Sequence, residues 1–238
     1  VERMNGRRGL GWIRMGVLTL LLCHGQGGTA LAGALERAML GKSLTVDLSR
    51  PFSEEPAAGA GPVTRLYIPL GAPPGRRAVS EIPVRELLLP AVVIDIRGKV
   101  RDARDYRVRV EDLLAWEHKH GRIPKRSMVL LYTGGAPGVE GSGHGTNGSG
   151  PEGPGFAPAA LALLLQEREV GGVGQDCRMV DSPSSAPADA IAAGRAGTFQ
   201  LEHLVNLDRL PPRGAKLIVA PLRMKEESAP ARVIAILP

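Results

Sequence analysis

Hydrophobic and polar positions along this chain sort into short apolar runs and one clear helical repeat. Ala91–Ile96 (AVVIDI) and Met128–Tyr132 (MVLLY) are nearly continuous apolar runs, the pattern of strands buried on both faces. Leu44–Leu48 (LTVDL) alternates apolar and polar residues, and Val63–Leu70 (VTRLYIPL) is similarly strand-like. Val170–Val173, Lys216–Ala220 and Val233–Leu237 complete the set of predicted strands. Val110–His120 carries apolar residues at 110, 113, 114 and 116 with charged ones between, which predicts an amphipathic helix closed by Gly121. Pro158–Glu167 is rich in Ala and Leu and predicts a second helix with Pro158 in its first turn. Strands interleaved with helices over 238 residues predict one α/β domain with a mixed sheet.

Composition refines this picture in two places. Aromatic residues make up only 3% of the chain, so the core must be built from Leu, Val, Ile and Ala. With 31 glycines and 20 prolines the chain must also spend many residues in loops. Ser53–Pro62 and Gly71–Gly75 (GAPPG) are two such connections. Gly134–Gly155 is the extreme case, with ten glycines in 22 positions, and predicts a flexible surface excursion.

The N-terminal stretch has the layout of an export signal. Arg7, Arg8 and Arg14 form a basic region, Met15–Cys23 (MGVLTLLLC) a short apolar one, and Ala30-Leu31-Ala32 a small-residue cleavage site. That predicts a leader over residues 1–32 and an exported domain over 33–238, periplasmic or secreted. The Arg7-Arg8 pair permits a twin-arginine route. The apolar run is too short to span a bilayer, which takes about 20 residues. The leader also carries +3 of the net charge of +6. The remaining basic residues are scattered and lack aromatic neighbours, so no nucleic-acid footprint forms. Without the leader, Cys177 is the only cysteine; no intrachain disulfide is possible, and a small buried hydrophobe is its expected role.

Several segments, in order, resemble the metal-dependent cyclase family that includes kynurenine formamidases (arylformamidases) and isatin hydrolases. Asp47-Leu48-Ser49-Arg50-Pro51 resembles its opening D-L-S-x-P turn. Ile82–Lys99 (IPVRELLLPAVVIDIRGK) resembles its link into the central strand, and Leu113-Leu114-Ala115-Trp116-Glu117 with Gly121-Arg122-Ile123-Pro124 its next helix and exit. Leu130–Gly134 (LLYTG), Pro154–Pro158 (PGFAP), Gly174-Gln175-Asp176 and Asp181 follow in the same order. Glu202–Leu207 (EHLVNL) with Leu210-Pro211 resembles E-N-L-x-N-L-x-x-L-P. The resemblance covers about residues 44–238. It implies a swivelling β/β/α-type fold, a homo-oligomer, and a zinc or manganese ion that activates water against an amide or lactam carbonyl of a small-molecule substrate, of the N-formylkynurenine type.

The same resemblance locates a gap. The family's motif H-x-G-T-H-x-D-x-P-x-H belongs between the Val63–Leu70 strand and Ile82-Pro83. Here that interval reads Gly71-Ala72-Pro73-Pro74-Gly75-Arg76-Arg77-Ala78-Val79-Ser80-Glu81, with no His and no Asp. No catalytic residue is identifiable there. The second half of the family's site maps onto Asp189 and Glu202, two carboxylates suited to a hard divalent cation. Other histidines do not complete the set. His118 and His120 stand two apart on a helix and diverge, while His144 lies in the glycine-rich excursion. Asp176 and Asp181 read as turn or strand-end residues. Two roles remain open at this point: a metal-dependent amide or lactam hydrolase with a rebuilt site, or a non-catalytic homologue acting as a binding or oligomer-partner scaffold.

Overall fold

In the computed structural model, which describes residues 41, 44–50, 63–68, 78–135, 153–177 and 198–238, the two continuous apolar runs lie side by side in parallel. They belong to β3 (Leu88–Asp95) and β5 (Met128–Tyr132). Successive residues of a strand point to opposite faces. Accordingly Leu89, Ala91, Val93, Met128 and Leu130 enter one apolar cluster, while Val92, Ile94, Val129 and Leu131 enter another. Burial on both faces is why neither run shows alternation.

The other strands of the main sheet are β1 (Thr45–Asp47), β2 (Arg65–Tyr67), β7 (Gly172–Gln175), β8 (Phe199–Glu202), β9 (Arg213–Pro221) and β10 (Ser228–Ile236). Among the described residues the strand order is β1-β10-β2-β8-β7-β5-β3-β9, and β9 pairs with β10 as well as with β3. The sheet therefore closes into a ring, with β1 and β2 sharing one edge of β10. β3, β5, β7 and β8 run parallel, and the remaining pairings are antiparallel. The first apolar cluster draws on β1, β2, β3, β5, β8, β9 and β10 and fills this ring. The second packs the outer face of β3, β5 and β7 beneath the helices. Fold class and sheet type are thus as the sequence implies, a single mixed α/β domain.

Among the described residues the α-helices are α1 (Arg97–Asp102), α2 (Val110–His120) and α3 (Pro158–Ala162), the last continuing as a π-turn over Leu163–Glu167. A small parallel pair, β4 (Arg107–Val108) with β6 (Gly155–Phe156), leads into α2 and α3. α2 has the predicted bounds and buries Leu113 and Trp116. The Trp116 indole N–H donates to the Val93 carbonyl at 3.0 Å, which docks α2 on β3. At its start the Asp112 carboxylate accepts the Arg109 N–H at 2.8 Å and the Tyr106 hydroxyl at 2.7 Å, and it pairs with Lys99 of α1.

Several boundaries differ from the sequence reading. β3 begins earlier, at Leu88, and passes through Pro90; a register shift between Pro90 and Val92 accommodates the missing N–H. β7 is displaced two residues from the predicted 170–173. Val170 donates instead to Leu164 and closes the turn that ends α3, so the strand starts only after Gly171. Gly172 is required where β7 meets β8, because a Cβ there would lie 2.2 Å from the Phe199 carbonyl oxygen. α1 and β8 were not predicted at all. The predicted leader over 1–32, the predicted loop over 53–62, the Gly71–Gly75 connection and most of the predicted glycine-rich excursion lie outside the described residues. Among those that are described, no helix is long and apolar enough to cross a membrane.

One ion pair ties α2 to the end of α3. Arg168 meets both oxygens of Glu117, at 2.8 and 3.0 Å, and the same carboxylate accepts the Ile123 N–H at 2.9 Å. Both side chains are almost buried, at 7% and 12% exposure. The Arg168 hydrogen bonds hold the Glu117 carboxyl below the ordinary glutamate range. Removing one partner of such a pair strands the other charge in a poorly solvated place. Glu117→Ala is expected to lower stability by about 3 kcal/mol in urea unfolding at neutral pH, since only the exposed Glu167 remains for Arg168. Because the folded carboxyl titrates below its ordinary value of 4.5, the contribution is complete above that pH. It is lost as pH falls through the folded-state value, so the gap between the two proteins closes in acid.

Candidate functional site at the carboxyl ends of the parallel strands

In sheets of parallel strands, ligands are characteristically held outside the carboxyl ends. Here β3, β5, β7 and β8 deliver Asp95, Tyr132, Gln175 and Glu202 to that one end. The turn after β5 is fixed there by Asp176, just past β7. Its carboxylate accepts the N–H of Thr133 at 3.1 Å, of Gly134 at 2.9 Å and of Gly135 at 2.9 Å, together with the Thr133 hydroxyl at 2.6 Å. Gly134 and Gly135 are left-handed, at φ +85 and +66, a backbone form that lets successive amides converge on one anion. Asp176 is 6% exposed and committed to these bonds, which makes it a structural clasp between β5 and β7.

Cys177 follows directly and is buried, as expected. Gln175 donates to its sulfur at 3.3 Å. Burial, and after it the nearby Asp176 and Glu202 carboxylates, push the thiol up to about 12. The group is therefore a protonated, inert thiol at neutral pH.

Glu202 ends β8, 7% exposed, and stands opposite Arg65 of β2 in the antiparallel register. Its Oε2 lies 3.9 Å from Nε2 of His203. The chain turns sharply at His203, whose φ is +57. This corner is knitted on every side. His203 N–H donates to the Cys177 carbonyl at 3.3 Å, the Thr64 hydroxyl donates to the His203 carbonyl at 2.7 Å, and Leu204 N–H donates to the Gln175 carbonyl at 3.1 Å. Three residues on, Asn206 is left-handed too, at φ +59, and its side-chain amide donates to the Asp47 carbonyl at 2.8 Å. The two asparagines of the E-N-L-x-N-L pattern thus fall on the two left-handed positions, 203 and 206. Asparagine tolerates that conformation better than most residues, and this chain has a histidine at the first of them.

Of the two carboxylates nominated as metal ligands, Glu202 is at this end of the sheet, while Asp189 lies outside the described residues, as do Asp181 and His144. His118 and His120 are remote, on α2, where the His120 ring rests against Trp116 at 4.9 Å. Among the described residues no three His, Cys, Asp or Glu side chains gather where they could hold an ion. A zinc or manganese centre needs about three protein ligands or more, so the donor set formed by the described residues does not fit the metal that the family implies. Sequence reasoning missed Thr133 and Arg97 as residues of this end of the sheet. Their signal lay in the strand ends, LLYTG and VIDIRG, which the sequence reading used as strands and as matches to the family but not as site residues.

Comparison with known proteins bears on this geometry. The Cyclase family model matches residues 46–182. The isatin hydrolase of Roseibium aggregatum is 32% identical over 164 residues, 65% of this chain and 62% of that protein. The chain thus aligns with less than two thirds of that relative's length. Isatin hydrolase A from Labrenzia aggregata, solved bound to benzyl benzoate, is 25% identical with a TM-score of 0.69, covering 87% of this chain and 99% of that one. Isatin hydrolase A from Ralstonia solanacearum is 27% identical with a TM-score of 0.67, covering 88% and 97%.

The strained corner makes a testable ordering. His203→Asn is expected to match or exceed the parent in thermal stability, by up to about 1 kcal/mol, and His203→Val to lose about 1–3 kcal/mol, because a β-branched residue resists positive φ. Asp176→Asn, which sets an amide donor against backbone donors, is expected to cost about 2–3 kcal/mol by the same measurement.

Proposed function

The chain belongs to the Cyclase family, and on that premise we propose that it is a small-molecule-binding protein on a metal-hydrolase scaffold, no longer hydrolysing through metal-activated water. Solved relatives are described as metal-dependent hydrolases, so the scaffold's lineage is hydrolytic. The observation that carries the proposal is the interval Gly71–Glu81. Where the resemblance expects three histidine or aspartate ligands and a proton-transfer histidine, the sequence supplies neither residue type. Activating a water means lowering its pKa from 15.7 to about 7, which takes a firmly held ion. At the end of the sheet Glu202 stands beside a histidine and a protonated thiol, and the neighbouring Asp176 carboxylate is committed to backbone amides.

A second reading, metal-dependent hydrolysis of an amide or lactam by a rebuilt ligand set, is favoured by the 32% identity to an isatin hydrolase. Glu202 with Asp189 would be the core of that set, and an N-formylkynurenine-type amide its arylformamidase-like form. One experiment separates the two. The purified protein is incubated with Zn and Mn, desalted exhaustively and analysed for metal, then assayed on isatin and N-formylkynurenine. The proposal expects far less than about one ion per chain and no turnover above buffer. Retention of about one ion, abolished by Glu202→Ala and accompanied by isatin consumption, would establish the hydrolase instead.

A further inference from the structure

At the carboxyl ends of β3 and β5 stands an arginine that the fold holds still without needing it. Arg97 meets the Asp95 carboxylate through Nε at 3.0 Å and Nη2 at 2.7 Å. Its guanidinium lies over the Tyr132 ring, 4.4 Å from the centroid. Asp95 and Tyr132 are neighbours in the parallel register, so the two strands set the fork and the ring at a fixed spacing. Gly134 lies flush against the arginine stem; a Cβ there would come within 3.2 Å of Arg97 Cγ. The turn that places Gly134 is the one clasped by Asp176.

Stability does not account for this arrangement. Arg97 and Asp95 are about half exposed, at 51% and 50%, and exposed ion pairs contribute little to folding. What the arrangement does provide is orientation. A guanidinium has two edges that can bind a carboxylate in parallel, and Asp95 occupies the one formed by Nε and Nη2. The Nη1 edge faces away from Asp95. A cation stacked on an aromatic ring and forked to a partner has already lost the rotamer freedom that binding would otherwise remove.

We infer that Arg97, held by Asp95 and Tyr132, is a recognition site for the planar carboxylate of a small ligand. This rests on the reading that the carboxyl ends of the sheet still form a binding cleft, and it specifies the ligand's class: a carboxylate, preferred over the matching neutral amide. Asp95 plays two parts in it, orienting the guanidinium and competing for its charge.

The test uses the full chain with EDTA present, so that it does not depend on the outcome of the metal and turnover experiment. Benzoate and its uncharged analogue benzamide are titrated and binding is followed by ligand-observed NMR. Benzoate is expected to bind at least about tenfold more tightly than benzamide, a charge-assisted fork against a neutral contact. Arg97→Gln is expected to erase that preference and Arg97→Lys to erase most of it, since an ammonium has no fork. Asp95→Asn is expected to tighten benzoate several-fold by removing the competing charge. Unchanged tryptophan emission and urea midpoint certify that each variant is folded. Equal binding of benzoate and benzamide by the parent, or a preference that survives Arg97→Gln, overturns the inference.

Discussion

Closure of the sheet is the constraint on which the rest of this structure depends. β9 pairs with β3 on one edge and β10 on the other, and β10 pairs in turn with β2, so the strands return to their starting point. The ring gives the protein two cores rather than one. The inner cluster is enclosed by strands on all sides, and the outer one is covered by α2 and α3. A chain with 3% aromatic residues has few large side chains to fill a single deep core. Sharing β3 and β5 between two aliphatic cores lets short Val, Leu, Ile and Ala side chains be packed twice over. Closure also leaves the carboxyl ends of the four parallel strands as a common rim.

That rim is where the family's chemistry would be expected, and several of its residues are committed to structural bonds. Asp176 is spent on the turn after β5, Cys177 is a buried protonated thiol, and Glu202 is followed by a corner whose two left-handed residues are bonded to Asp47 of β1, to Thr64 just before β2 and to Cys177 just past β7. These bonds all join described residues of the strand ends and their turns, so the rim is held from within the sheet.

The parts of this fold that were legible in the sequence are those whose burial leaves a pattern. α2 was readable to the residue because its apolar stripe and closing glycine coincide with its ends, and β5 because it is apolar throughout. β3 was readable in its second half only; its first half crosses Pro90, which argues against a strand unless a bulge supplies the room. β8 reads FQLE, too short and too polar for a periodic signal, yet it is buried along its whole length between β2 and β7. α1 is six residues with only Val100 buried, so tertiary bonds such as Lys99 to Asp112 hold it rather than any amphipathic face. The cleft was legible where a carboxylate fell in a recognisable run, as at Glu202. It was illegible where the role is set by contact, as for Arg97 against Tyr132.

The last strand in chain order is the one that closes the ring, and this shapes how the protein must fold. β10 binds β1 through Thr45↔Ile236, β2 through Ala229↔Leu66 and β9 through Val233↔Val219. Among the described residues, until it docks β1 has no partner strand, β2 is held on one side only and the inner core has an open wall. Contacts between residues so distant in sequence raise the contact order and slow folding, since loop entropy is lost before the contacts form. Closure of the ring thus waits on pairings of long sequence separation, and an unclosed ring would present the inner apolar cluster as an open wall.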